Sequence, residues 1–147
     1  MNDKSKAPNF LGLIDENNQI SLSDYKGSFL VLYFYPKDKT SGCTIQSQDF
    51  RDYKKKFANK NCKIIGISRD SIKSHKSFTE KESLNFPLIS DPDETMCNAY
   101  GVMKEKSMYG RKYMGIERST FVIDPDGILI KEWRGVKEPG HVEEVYN

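Results

Sequence analysis

The run Phe29-Leu30-Val31-Leu32-Tyr33-Phe34-Tyr35, followed at once by Pro36, decides the fold. Seven apolar or aromatic residues without a break read as a strand buried on both faces, as in the core of a parallel or mixed sheet. Pro36 stops it, because proline lacks the N–H that a strand ladder needs. Upstream, Leu11, Leu13, Ile20 and Leu22 are the apolar positions of a short hairpin. Asp15-Glu16-Asn17-Asn18 supplies its reversal and Ser23 to Gly27 a second bend.

Downstream, a polar loop leads into a helix starting near Gly42 or Cys43. Phe50, Tyr53 and Phe57 fall on one face of that helix, and Lys54-Lys55-Lys56 is its solvated side. Ile64, Ile65 and Ile67 mark a second buried strand over residues 63–68. Asp70 reads as the N-cap of a helix running to about Leu84. Phe86-Pro87-Leu88-Ile89 is a short extended piece. Asp91 or Asp93 caps a short helix through Tyr100, which Gly101 ends. Residues 104–115 are a polar, glycine-containing excursion. Residues 117–123 and 128–133 are two strands joined by Asp124-Pro125-Asp126-Gly127, a strong turn signal. A last helix begins at Gly140. Strands and helices that alternate and then close with a hairpin argue for α/β: a mixed central sheet with helices on both faces and an N-terminal β-hairpin. A thioredoxin-like arrangement fits.

The 147 residues suit one domain, 1–147, with a real core. A net charge of +2 is too small to argue for a nucleic-acid partner. No apolar stretch approaches the roughly 20 residues of a membrane helix, and the first residues do not read as a secretory signal, so a cytoplasmic protein is expected. Three cysteines are too few for a disulfide scaffold. No Cys-x-x-Cys pair is present and His75 and His141 lie far apart, so neither a metal nor a cofactor is expected.

Chemistry concentrates in Tyr35-Pro36-Lys37-Asp38-Lys39-Thr40-Ser41-Gly42-Cys43-Thr44, just past the central strand, where open α/β sheets place their ligand sites. A cysteine in the first turn of a helix meets free N–H groups and the positive dipole end, which favour thiolate over thiol. Gly42 permits close backbone approach beside the sulfur. Thr40, three residues before Cys43, is placed for its hydroxyl to reach the sulfur or a bound oxygen, and Pro36 to shield the thiolate. Position alone leaves Cys43 as either a nucleophile or a buried, inert cysteine.

Pro36-x-x-x-Thr40-x-x-Cys43 resembles the signature of the peroxiredoxins (the AhpC/TSA family). The wider string is similar to the peroxiredoxin Q, or bacterioferritin-comigratory-protein, subfamily. The lead-in Tyr33-Phe34-Tyr35-Pro36-Lys37 and Gly42-Cys43-Thr44 match it, as do Phe50-Arg51-Asp52 and Gly66-Ile67-Ser68. So do Leu88-Ile89-Ser90-Asp91, Tyr100-Gly101-Val102 and the run from Arg118 to Asp124. Ser41 departs from the proline common there and touches no chemical role. The resemblance implies a thioredoxin-like fold and a thiol peroxidase acting on hydroperoxides through a Cys43 sulfenic acid. It implies that Arg118 stabilises the thiolate and orients the peroxide. Arg51 reads as a surface arginine. The segment from Lys104 to Gly110 resembles the subfamily's loop beside the active site, and Phe34, Tyr35 and Tyr109 are assigned no substrate contact.

Recycling is the open point. Many members of the subfamily carry a resolving cysteine five residues after the first, where this chain has Gln48, or on the next helix, which here has none. Cys62 and Cys97 remain as candidates beside a one-cysteine cycle, in which thioredoxin or another outside thiol attacks the sulfenic acid. The resemblance leans toward a monomer. It also implies a longer last helix than residues 141–147 supply, which reads as truncation. The rival functions are a thioredoxin-fold thiol-disulfide oxidoreductase, which would carry Cys-x-x-Cys where this chain has Thr40-Ser41-Gly42-Cys43, and a non-enzymatic holdase with an incidental thiol.

Overall fold

The apolar run forms β4 (Phe29–Phe34), buried along its length apart from a half-buried Phe29. The structure is a computed structural model that describes residues 5–136 and Val145. Before β4 come β1 (Ser5–Lys6), β2 (Leu11–Leu13), β3 (Gln19–Ser21) and a 3-10 turn at Leu22–Tyr25. After it come α1 (Ser41–Asn59), β5 (Cys62–Ser68), α2 (Ile72–Glu82), β6 (Leu88–Ser90) and α3 (Thr95–Ala99). The chain continues through β7 (Met103–Met108), β8 (Arg111–Ile116), β9 (Ser119–Ile123) and β10 (Ile128–Arg134). Eight strands make one sheet in the order β1-β10-β9-β4-β5-β6-β2-β3. The pairs β4–β5 and β5–β6 are parallel, and β9 runs antiparallel to β4. This is the mixed sheet of a thioredoxin-like fold, as the order of elements foretold.

Alternation along β4 divides the core in two. Val31, Tyr33 and Tyr35 face a cluster holding Cys43, Phe50 and Phe57 of α1 and Phe78 of α2. Leu30, Leu32 and Phe34 face the opposite cluster, with Met96 and Cys97 of α3, Tyr100 and Val102. Tyr33 fixes α1 against the sheet. Its ring stacks on Phe50 with centroids 4.5 Å apart, and its hydroxyl shares a 2.8 Å hydrogen bond with Ser47 Oγ. A fully buried phenol needs such a partner, so the contact sets the position of α1 as well as holding it. Gly66 on β5 makes room for this ring: a Cβ there would lie 2.8 Å from Tyr33 Cζ and 2.7 Å from Leu88 Cδ2.

The elements differ from the sequence reading in four places. Ser71, not Asp70, caps α2, its side chain accepting from Ser74 N, because the Asp70 carboxylate is engaged by Asp38 N and Ser68 Oγ. The helix also ends earlier, with Ser83 in the left-handed region at φ 52°. Glu94 is the residue preceding α3, while Asp91 reaches over to accept from Met96 N and Cys97 N. The excursion at 104–115 is a regular antiparallel hairpin, β7–β8. It reverses at Tyr109 and Gly110, both at positive φ, the pattern of a tight type I′ turn. In the hairpin β2–β3, Leu11 and Leu13 point outward and Gly12 points in, because Ile89 Cγ2 would lie 2.6 Å from a Cβ at Gly12. The last helix from Gly140 falls outside the described residues except for Val145, which is buried in the cluster on the α1 face.

Candidate active site

Cys43 is the third residue of α1 and is fully buried at the end of the sheet where β4 exits. Pro36 lies two residues past the end of β4 and is half-buried. Thr40 is the residue preceding the helix, with extended backbone (φ −78°, ψ 154°), and its carbonyl accepts from Thr44 N at 2.8 Å. Its hydroxyl gives no cap to the first turn. It donates instead to Lys37 O at 2.8 Å. The first turn also holds no acidic residue. Neither a side-chain cap from Thr40 nor a carboxylate of that turn therefore competes with a thiolate for the positive end of α1.

Arg118 arrives from the neighbouring strand. Ser119 pairs with Phe34, so the residue before it reaches the level of Tyr35, where the loop to Cys43 begins. Its Nη2 lies 3.2 Å from Cys43 Sγ, and its Nη1 donates to Gln46 Oε1 at 2.7 Å. Glu117, the nearest carboxylate in sequence, is paired with Lys104 at 3.1 Å. Arg118 thus keeps its full charge for the sulfur while a neutral amide holds its other nitrogen. Gln46 is fully buried, and its Nε2 has no hydrogen-bond partner among the described residues. The sequence reading missed Gln46. The available signal was its spacing, three residues from Cys43 and so on the same helical face.

Asp38 was also missed. This buried carboxylate in the loop between Pro36 and Thr40 accepts from Tyr35 Oη at 2.6 Å and Ser74 Oγ at 2.8 Å, and lies 2.7 Å from His75 Nδ1. Burial pushes its carboxyl up, but the hydrogen bond and charge of His75, with the two hydroxyls, outweigh that and hold it below the ordinary carboxylate range. Asp38, Asp70 and His75 bring three metal-capable atoms within 4.8 Å of one another, a grouping the distance from His75 to His141 in sequence gave no hint of.

The remaining candidates lie elsewhere. Arg51 ties α1 to α2, donating to Glu82 O at 2.7 Å. Phe34 packs with Tyr100 and Phe121 on the far face, and Tyr109 is 98% exposed at the hairpin tip. Lys106 lies on β7, in the segment expected beside the site. Burial and then Arg118 and Arg69 lower its ammonium. Cys97 sits on the opposite face of the sheet from Cys43. Cys62 shares the Cys43 face but pairs with Phe29 at the other end of β4, roughly 17 Å along the strand at ~3.3 Å per residue. Burial pushes the Cys62 thiol up to about 11, and burial with the Asp91 carboxylate pushes Cys97 up further. All three cysteines are free. Among the described residues no helix is long and apolar enough to cross a membrane.

Residues 4–132 match the model of the AhpC/TSA family. The chain is 50% identical over 139 residues to peroxiredoxin Bcp of Bacillus subtilis, covering 95% of this chain and 88% of that protein. It superposes on a PrxQ mutant from Xylella fastidiosa with a TM-score of 0.93 at 43% identity, covering 99% and 93% of the two chains. It is also similar to the Xanthomonas campestris bacterioferritin comigratory protein, a structure concerned with alkyl peroxide reduction. There the TM-score is 0.86 at 45% identity, with 95% and 87% covered.

Proposed function

Because the chain belongs to the AhpC/TSA family and is a thiol-dependent peroxidase, we propose that Cys43 is its attacking thiol, with Pro36, Thr40 and Arg118 shaping the attack. The observation that carries this reading is the 3.2 Å contact from Arg118 Nη2 to Cys43 Sγ at the start of α1. The substrates are hydrogen peroxide and organic hydroperoxides, the latter in keeping with the alkyl peroxides of the Xanthomonas protein. A sulfur lone pair attacks the terminal oxygen of ROOH. An S–O bond forms, the O–O bond breaks, and RO⁻ leaves and takes a proton to become alcohol or water. Arg118 and the Cys43 backbone N–H stabilise the oxygens as charge moves onto them. The Thr40 proton is engaged by Lys37 O, so its oxygen offers lone pairs to the hydroperoxide O–H rather than a proton to the leaving group. The product on the protein is Cys43 sulfenic acid.

One domain carries the whole cycle, acting in the cytoplasm as a monomer and recycled by thioredoxin or another external thiol. The first thiol condenses with Cys43–SOH to a mixed disulfide and water, and a second thiol releases Cys43. The sheet between Cys97 and Cys43, and the length of β4 between Cys62 and the site, support the external route over an internal resolving cysteine. The test is intact mass after one equivalent of peroxide with a sulfenic-acid trap. Wild type is expected to gain one trap adduct that Cys43→Ser lacks. An equal reaction in Cys43→Ser overturns the assignment.

A further inference from the structure

A buried network that never touches the sulfur joins the loop before α1 to α2. Asp38 is 5% exposed and His75 3%. Asp38 Oδ1 accepts from Tyr35 Oη, while its Oδ2 accepts from Ser74 Oγ and faces His75 Nδ1 at 2.7 Å. The other ring nitrogen of His75, Nε2, lies 2.9 Å from Ile89 O on β6. A backbone carbonyl only accepts, so Nε2 carries a proton, and one further proton lies between Nδ1 and Asp38. The backbone of the loop is held as well. Asp38 N donates to Asp70 Oδ2 at 2.8 Å, and Lys39 Nζ donates to Ser77 Oγ at 2.6 Å, further along α2.

We infer that the Asp38–His75 pair is a positioning unit for the peroxide site, pegging the loop to α2 and thereby fixing Thr40, whose oxygen is proposed to meet the hydroperoxide. The inference rests on Cys43 as the attacking thiol. Its physical basis is the residue between peg and helix. Lys39 has φ 66°, the left-handed region that a side-chain-bearing residue enters only when its surroundings hold it there. On one side Asp38 is held by Tyr35, Ser74, His75 and Asp70. On the other, Thr40 is held by its bonds to Thr44 N and Lys37 O. Releasing Asp38 lets Lys39 relax toward the right-handed or extended regions and shifts Thr40, the residue that leads into α1. A displacement of about 1 Å at a reacting centre is enough to cost on the order of 100-fold in rate.

Two substitutions at His75 separate positioning from mere support. In His75→Asn the side-chain amide lies where Nδ1 was, so it donates to Asp38 and abandons Ile89 O. In His75→Gln the longer amide reaches the place of Nε2, so it keeps Ile89 O and abandons Asp38. Both remove the same buried ring, and a purely structural role predicts the same result for both. Positioning predicts that the second-order rate with hydrogen peroxide stays within about threefold of wild type in His75→Asn and falls tenfold or more in His75→Gln. Alkylation of Cys43 by iodoacetamide, which needs the thiol but no oxygen-binding arrangement, should be unchanged in both. Equal peroxide rates in the two variants overturn the inference, as does a fall in alkylation parallel to the fall with peroxide. If either variant lacks the native near-UV spectrum, Ser74→Ala removes one donor to the same Asp38 oxygen. A two- to fivefold slower peroxide reaction is then expected, and an unchanged rate counts against the peg. Cys43→Ser run alongside tests the underlying assignment separately, since its reactivity does not depend on where the loop sits.

Discussion

Gln46 holds Arg118 by a 2.7 Å hydrogen bond from Nη1 to Oε1 and leaves its charge intact. A carboxylate in that place would offset the charge that faces Cys43. A small apolar residue would leave the guanidinium, among the described residues, hydrogen-bonded only to the sulfur it serves. Hydrogen bonds to charged groups contribute about 1.5–3 kcal/mol, and 1.4 kcal/mol is a factor of ten in rate. Gln46→Ala should therefore lower the rate with hydrogen peroxide roughly tenfold, measured by stopped-flow competition against a heme peroxidase. A change under twofold would mean that Arg118 is held by something other than Gln46.

Arg118→Lys tests the fork itself. One nitrogen of Arg118 faces Sγ while the other is tied to Gln46, and a lysine has a single ammonium to serve both places. The expected loss is on the order of 100-fold in the same assay, comparable to removing one donor from an oxyanion site. Thermal stability should move little, and a large fall in melting temperature with an unchanged rate would place Arg118 among structural residues.

Neither Cys62 nor Cys97 should take part in a single turnover. Cys62→Ser and Cys97→Ser should each show the same peroxide rate as wild type, and intact mass should show no loss of two hydrogens in any variant. Native alkylation at pH 9 should label neither residue, since both thiols are raised and stay protonated there. An internal disulfide that disappears in either variant would name the resolving thiol and end the one-cysteine cycle.

The Asp38 carboxyl is depressed in the folded state, which fixes the sign of a pH effect. A depressed carboxyl contributes stability in full above its unfolded value, about pH 4, and loses it as the pH falls through the lower folded value. Breaking a buried pair costs about 3–5 kcal/mol, so Asp38→Ala should be less stable than wild type by about that much at pH 7. The gap should narrow below about pH 4 in urea titrations. A gap that is constant from pH 7 to pH 3 would show that Asp38 acts only through its shape.

Gly66→Ala tests the packing beneath the site. Its Cβ would press on Tyr33, whose ring is held between Phe50 and the Ser47 hydroxyl and has nowhere to go. Overpacking of this kind costs about 1–3 kcal/mol, a fall of several degrees in melting temperature. An unchanged melting point would mean that β5 shifts freely relative to α1.

The central strand and the Pro36, Thr40, Cys43 spacing were legible because each depends on local composition or on a short motif. Arg118 was legible only through resemblance, since its place beside Cys43 is created by the β4–β9 register. Gln46 and Asp38 were hidden among polar helix and loop residues, and burial, which gives them their roles, is a property of the assembled layers. The hairpin β7–β8 was hidden for the opposite reason. Its strands are largely exposed on both faces, so they carry no alternation of apolar and polar residues to read. Leu11 and Leu13 misled in the same way, because the inward position between them belongs to a glycine.

The separation of the three thiols has a further consequence. In the proposed one-cysteine cycle, with Cys97 behind the sheet and Cys62 at its far end, neither of these thiols stores an oxidising equivalent for Cys43. Under that cycle each turnover is discharged to another molecule before a second peroxide arrives, or the sulfenic acid passes to the irreversible sulfinic state. The working lifetime of each copy is then a race between two encounters. The outcome depends on the ratio of thiol to peroxide around the protein rather than on the rate of its first step.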